Sequence, residues 1–357
     1  MTKFRTAPRT RLTECLSALV KRLDDDLGTE SVHRFGPGGE FQVRVATSAE
    51  DRRRAWALAY RVYLEKEYAA PNPQGLWYSL HDALPETVTV LVERTAVEGG
   101  GAKVDGGRLK VEGRGSQAAS TLHLPPSTVV PDPSPSTLKP QPSTSVIGAV
   151  TIVPDSRIGL PADATFPQET ARMRAEGRRL AEAVSLVQAG VSERTGMPVV
   201  AKLCELTCLV ARRVLGATDL VITVNPRHED YYRRVMLFER RGGEAGCDKV
   251  RGAPAVFLTL SLADMARYIA DAREPGAPRT IYRRFMPEEE SAELAGRIGA
   301  GRRPLDEAAL RRYFAVERAL LSDAPQAARM HLADCYLAYD LDRLAPAISS
   351  RDSAELQ

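Results

Sequence analysis

Directly after the apolar run Leu220-Val221-Ile222-Thr223-Val224 the chain reads Asn225-Pro226-Arg227-His228, followed closely by Tyr231-Tyr232-Arg233-Arg234. An imidazole at His228 can move a proton near neutral pH, and the end of a buried strand in an open α/β sheet is where ligands are contacted. A lone histidine also serves as a helix cap, so its position is the pointer to chemistry. Asn225 shares that position. Tyr231 and Tyr232 each bring a hydroxyl that can protonate a leaving group, with core packing as the alternative. Metal chemistry is not supported. The five cysteines, Cys15, Cys204, Cys208, Cys247 and Cys335, are an odd number without a CxxC pair, which argues for neither a disulfide framework nor a zinc site. Cys204 and Cys208 stand one helical turn apart in an apolar stretch and read as buried free thiols.

The elements that must position these groups belong to a chain of 357 residues, longer than a single core usually grows. With 43% hydrophobic and 27% charged residues it is globular in composition. The 49 basic side chains nearly balance the 46 acidic ones, leaving a net charge of +3, which excludes nucleic acid as the main partner. Arginine supplies 41 of the 49, a bias that fits either anion recognition or the base composition of the gene. No run reaches the ~18 uncharged apolar residues of a membrane helix, so no integral membrane segment and a cytoplasmic location are expected.

Composition and periodicity divide the chain into a helical lead over 1–40, an α/β body over 41–262 and a helical extension over 263–357. The lead carries an amphipathic helix over 11–27. Within the body, residues 96–145 contain seven glycines and seven prolines, the composition of a disordered insert. It separates two β-branched runs, Val88–Val92 and Val146–Val153, that read as neighbouring central strands. Around them, 41–46 alternates as a strand, and Ser48 caps a helix running to about Glu67 with Asp51 in its first turn. Thr170–Arg179 is charged and compatible with helix or loop. Strands follow at 181–187 and 220–224, helices at 198–215 and 227–237, and a strand pair near 239–250 and 254–262. This order describes a mixed, mainly antiparallel sheet flanked by helices. The tail, with helices at 263–272, 288–299, 305–322 and 325–343, reads as an appendage or cover.

Five segments, in order, resemble the N-acyl amino acid synthases, a group of the GNAT acyltransferase superfamily related to the acyl-homoserine lactone synthases. They are Tyr60-Arg61-Val62-Tyr63-Leu64-Glu65-Lys66-Glu67-Tyr68; Ile147 to Asp155 with Gly159-Leu160-Pro161; Glu182-Ala183-Val184-Ser185-Leu186; Asn225 to Phe238; and Gly252-Ala253-Pro254-Ala255-Val256. Together they cover roughly residues 41–262, and their spacing is as expected apart from the insert.

The resemblance implies a GNAT-like fold and transfer of a medium or long acyl group from a carrier-protein thioester to the amine of an amino acid or related acceptor. That chemistry needs a base to keep the amine neutral and donors for the oxyanion, which in this fold are backbone N–H groups on a splayed strand. It places Glu182 as the base or amine-orienting carboxylate, against the alternative of a carboxylate paired at a sheet end. Arg61 matches an arginine on the acceptor side, or is a solvated helix residue. Asp82 resembles an acidic position that holds an ammonium or Arg61, or is a turn cap. Asn225, Tyr231, Tyr232 and Thr151 fall on the substrate side, and His228 is a candidate for proton transfer.

Two departures shape the expectation. Thr151 and Ser185 stand where arginines are common in the group and in the lactone synthases, which weakens a lactone synthase reading. The segment Gln188 to Gly196 lacks the R/Q-x-x-G-x-G/A loop that holds pyrophosphate in coenzyme A-dependent GNAT enzymes. An acyl carrier protein bearing 4'-phosphopantetheine is therefore favoured over acyl-CoA as donor, with no bound cofactor. Carrier proteins are acidic, and Arg178, Arg179, Arg233 and Arg234, with Arg172, Arg174, Arg240 and Arg241, are the candidate docking residues; a solvated charged face is the alternative. Competing readings are a non-catalytic acyl- or partner-binding module and a coenzyme A-dependent N-acetyltransferase.

Overall fold

The computed structural model describes residues 33–36, 39–94 and 145–344. The helix expected over 11–27 and the insert expected to be disordered lie outside the described residues. The elements run β1 (His33–Phe35), β2 (Phe41–Val45), α1 (Ala49–Glu65), β3 (Val88–Arg94), β4 (Ser145–Pro154), α2 (Pro167–Ala175), β5 (Leu180–Gln188) and α3 (Glu193–Leu209). They continue through β6 (Asp219–Val224), α4 (Glu229–Val235), β7 (Glu239–Cys247), β8 (Ala253–Ser261), α5 (Met265–Asp271), α6 (Glu288–Gly301), α7 (Glu307–Ala309), α8 (Gln326–Cys335) and α9 (Leu341–Leu344). The strands form one sheet in the order β1-β2-β3-β4-β5-β6-β8-β7. Every neighbouring pair is antiparallel except β5 with β6, the mixed, mainly antiparallel sheet read from the sequence.

Val88 to Glu93 of β3 are all buried, because a strand covered on both faces tolerates a continuous apolar run. At its far end Arg94 pairs with Ser145 of β4, so the segment between them connects two hydrogen-bonded strand ends. The charged connector resolves as α2, with Pro167 in its first turn and Glu169 beside the positive end of its dipole. No helix among the described residues is long and apolar enough to cross a membrane.

The first long helix begins as its sequence predicts. The Ser48 hydroxyl accepts the Asp51 N–H at 3.1 Å, and the Asp51 carboxylate accepts the Ser48 N–H at 3.3 Å. Asp51 also pairs with Arg44 at 2.6 Å, and Arg44 and Arg54 converge on the buried Glu93 at 2.9 and 2.6 Å. The cap thus anchors α1 to β2 and β3 as well as closing its first turn. Ser48→Ala should cost about 1 kcal/mol in a denaturant titration; a change below a few tenths would mean that the Arg44 network carries the anchoring alone.

Alternation along the strands sends side chains into two cores. Leu220 and Ile222 of β6 join Val256, Leu258 and Leu260 of β8 on one face, beneath α3, α4, α5 and α6. Val221 and Phe257 face the other way, against Trp56, Tyr78 and Phe166. The tail was expected to be an appendage or cover. Its described part instead belongs to both cores: Tyr282, Phe285, Leu294 and Ile298 pack on the first face, and Leu310, Tyr313, Phe314 and Tyr336 on the second. Buried hydroxyls tie it down. Tyr282 donates to the Met236 carbonyl at 2.5 Å and Tyr336 to that of Ala83 at 2.7 Å. The helix expected over 325–343 breaks into α8 and α9 because Tyr336 leaves helical geometry, at φ −120° and ψ 53°, as its ring turns into the core. The helix expected over 305–322 likewise shortens to α7 and a π-helical turn over Leu310–Val316.

Candidate active site

The site arises from a pairing that stops early. The parallel strands β5 and β6 match only at Leu180 with Asp219, Ala181 with Leu220 and Glu182 with Val221. Beyond that point β5 continues along β4 to Gln188, β6 continues along β8 to Val224, and the two diverge. A bulge widens the parting: between Ala149 and Thr151 two steps on β4 oppose the three from Val187 to Val184 on β5, and Ser185 sits at φ 54°. The β6-facing edge of β5 past Glu182 therefore has no ladder partner. A cavity of about 280 Å³ fills the gap.

The cavity passes between the strands and has unlike walls on the two faces of the sheet. On the face of the first core it meets Cys204 and Thr207 of α3, Ile222, Tyr232, Met236 and Phe238, a mainly apolar wall. On the other face stand Glu182 and Thr223, the turn Pro161–Thr165 and Lys249. Glu182 is 2% exposed, and one of its oxygens accepts the Ala162 N–H at 2.7 Å. Burial pushes its carboxyl up to about 7, against the pull of that N–H and of Lys249. The turn is held in place from behind. Asp163 accepts the Leu160 N–H at 2.9 Å and is gripped with Asp155 by Arg174, at 2.8 and 2.6 Å. Arg174, grouped with the docking candidates in the sequence, is committed to this brace.

His228 and Asn225 lie at the mouth, where the strands end. The Asn225 side chain accepts the Arg227 N–H at 3.2 Å, as a cap does. His228 Nε2 accepts from Arg227 Nε at 3.1 Å, and partial burial with Arg227 and Lys66 nearby lowers its pKa, which keeps the ring neutral. Tyr232 lines the cavity. Tyr63, which the sequence placed in a motif without a role, also lines it beside Ser185, its hydroxyl pushed up to about 12 by burial. Lys249 was likewise missed: it sits in the short turn after β7, and only the pairing of β7 with β8 brings that turn to Glu182.

Several candidates stand elsewhere. Asp82 is buried away from the cavity, where its carboxylate accepts Trp56 Nε1 at 2.9 Å and the Ser79 N–H at 2.8 Å; it is a cap that orients an indole. Arg61 is exposed on α1 and is not among the residues lining the cavity. Thr151 is buried in the sheet with its hydroxyl 3.3 Å from that of Thr89. The Tyr231 hydroxyl is buried without a partner, outside the cavity lining. The docking arginines do not form one surface: Arg178 and Arg179 flank the start of β6, while Arg233 and Arg234 follow its end. They are also largely neutralised. Arg178 pairs with Asp219 at 2.7 Å, Arg233 with Glu229 at 3.5 Å and Arg234 with Asp230 at 3.4 Å. No cluster of three metal-ligating side chains occurs among the described residues.

A mainly antiparallel open sheet whose one parallel pair splays apart is a GNAT-like arrangement. Residues 132–261 match the family model described as N-acyl amino acid synthase FeeM, in agreement with the motifs. Among solved structures, FeeM, an N-acyl amino acid synthase from uncultured soil microbes, is 18% identical, with 69% of this chain and 98% of that one covered at a TM-score of 0.45. A GNAT-family acetyltransferase from Streptococcus pneumoniae is 14% identical over 62% of this chain and 99% of that one, at 0.34. The coenzyme A-dependent acyl-homoserine lactone synthase BjaI is 12% identical over 82% and 97%, at 0.35. No curated protein matches the chain.

Proposed function

We propose that the protein is an N-acyltransferase that moves a medium or long acyl group from a phosphopantetheine thioester, carried by an acyl carrier protein, to the amine of an amino acid or related acceptor. The observation that carries this reading is the cavity between β5 and β6, apolar on one face of the sheet and bearing Glu182 on the other. The acyl chain fits the wall of Ile222, Met236 and Phe238, and the amine fits the Glu182 side. In the reaction the amine lone pair attacks the thioester carbonyl carbon. The oxyanion faces backbone N–H groups on the unpaired edge of β5, donors that need no reorganisation as charge develops. As the intermediate collapses the C–S bond breaks, the amide forms, the amine's proton passes to the Glu182 carboxylate, and the thiolate takes up a proton to leave as a thiol. A carboxyl titrating near 7 suits that exchange at neutral pH. Tyr63 and Tyr232, which line the cavity, are the candidate hydroxyls to return a proton to sulfur.

The test is product identification. Incubation of the protein with an acyl carrier protein thioester and a pool of amino acids should yield an N-acyl product by mass spectrometry. Absence of product with every acceptor, together with rapid turnover of acyl-CoA, would overturn the carrier-protein donor.

A further inference from the structure

The cations at the cavity mouth, unlike most of the arginines considered for docking, have no acidic partner among the described residues. Arg178, Arg233, Arg234, Arg240 and Arg241 each pair with a carboxylate. Lys66 and Arg227 have none within ion-pair distance among the described residues. Lys66 follows α1 and lines the mouth. The Arg227 guanidinium is held by two lining side chains: its Nη2 donates to the Tyr68 hydroxyl at 2.6 Å, and its Nε donates to His228 at 3.1 Å. Two of the five N–H donors of a guanidinium are used in this way, and the others stay free for a ligand. His228, kept neutral, serves as an acceptor that orients Arg227. Two unpaired cations, one of them pre-oriented, form an anion site.

The site's position identifies the anion. From Val221, opposite Glu182, to Asn225 at the mouth is about 13 Å at the rise of a strand, a span that an extended pantetheine arm covers. The phosphate at the end of such an arm emerges beside Lys66 and Arg227 when its thioester lies at Glu182. The stretch Gln188 to Gly196 carries no glycine-rich phosphate loop, so side chains take up the role that backbone amides fill elsewhere. We propose that Lys66 and Arg227 bind the phosphate of the donor's 4'-phosphopantetheine. This assignment rests on the acyl-transfer reading above.

Lys66→Ala and Arg227→Gln, singly and combined, should be assayed with acyl-phosphopantetheine and with acyl-pantetheine, which lacks the phosphate. The double variant is expected to raise KM for the phosphorylated donor at least tenfold with kcat nearly unchanged, and to leave KM for acyl-pantetheine as it was. An equal loss on both donors, or no rise on the first, overturns the assignment. Parallel assays of the wild type with acyl carrier protein and acyl-CoA distinguish the two sources of the arm, and the double variant should raise KM at least tenfold on whichever source is used; no rise there overturns the assignment. Calorimetry reads the site without turnover. Wild-type protein should bind phosphopantetheine at least tenfold tighter than pantetheine, and the double variant should lose the difference; equal binding by wild type overturns the site. Failure of the wild type to transfer acyl groups from any donor would instead overturn the acyl-transfer reading and leave the calorimetric result to decide the phosphate site.

Discussion

Glu182→Gln is expected to lower kcat by about 100- to 10,000-fold, the usual contribution of a positioned general base. The amide keeps an oxygen to accept the Ala162 N–H, so the fold should survive and the loss should report chemistry. In the proposed mechanism the active form is the carboxylate, whose pKa burial raises to about 7. Activity should therefore climb with pH through about 7 and level off above it, and the Gln variant should lose that limb. Undiminished activity would remove Glu182 from the mechanism. Stability moves the opposite way. A carboxyl titrating at 4.5 when unfolded and near 7 when folded binds more protons in the native state between those values. The stability it confers in acid is thus lost as pH rises through that window. At 1.36 kcal/mol per pKa unit the 2.5 units amount to on the order of 3 kcal/mol. Glu182→Gln should raise Tm at pH 8 and have little effect below pH 4.5.

Tyr282→Ala is expected to destabilise the protein by about 4 kcal/mol, a large fraction of a typical domain's stability. Its ring is wholly buried, stacks on Tyr268 with centroids 5.4 Å apart and meets Phe285 at 5.0 Å. Its hydroxyl satisfies the Met236 carbonyl, so truncation combines a cavity with an unpaired buried acceptor. Tyr282→Phe keeps the packing and should cost about 1 kcal/mol. Chemical denaturation of the two variants separates the contributions. Because Met236 lines the cavity, the Ala variant should also raise KM for long-chain donors before it unfolds. A loss below 1 kcal/mol for Tyr282→Ala would mean that the tail is the detachable cover its sequence suggested.

Seven of the eight strands were legible because each carries its own signal, whereas β1, three residues inside the stretch read as a helical lead, was not. Val88–Val92 and Val146–Val153 are buried on both faces and read as continuous apolar runs, and the Ser48 cap with Asp51 marked the start of α1. The tail was misjudged because helical periodicity gives an apolar face without naming what covers it. Tyr282, Phe314 and Tyr336 look alike in a sequence whether they cap a fold or complete its cores. For Asp82 and Arg61 the sequence left a site role and a structural one open, because a motif gives the residue type and element while the direction of the side chain depends on what packs beside it. Trp56 draws Asp82 inward, and nothing draws Arg61.

By itself the sequence determined a mixed, mainly antiparallel sheet, seven of its eight strands in their order along the chain, and the presence of Glu182 on β5 within a segment resembling the acyltransferase motifs. Those are properties of local pattern, written in side-chain period and spacing. The tertiary structure alone decided that β5 and β6 part after Glu182, that the parting opens a passage with an apolar and a carboxylate wall, and that Lys249, Lys66 and Arg227 come to its two ends. Each of those depends on where paired strands stop and which turns then meet. Register and pairing join residues far apart in the chain, so no window of sequence contains them.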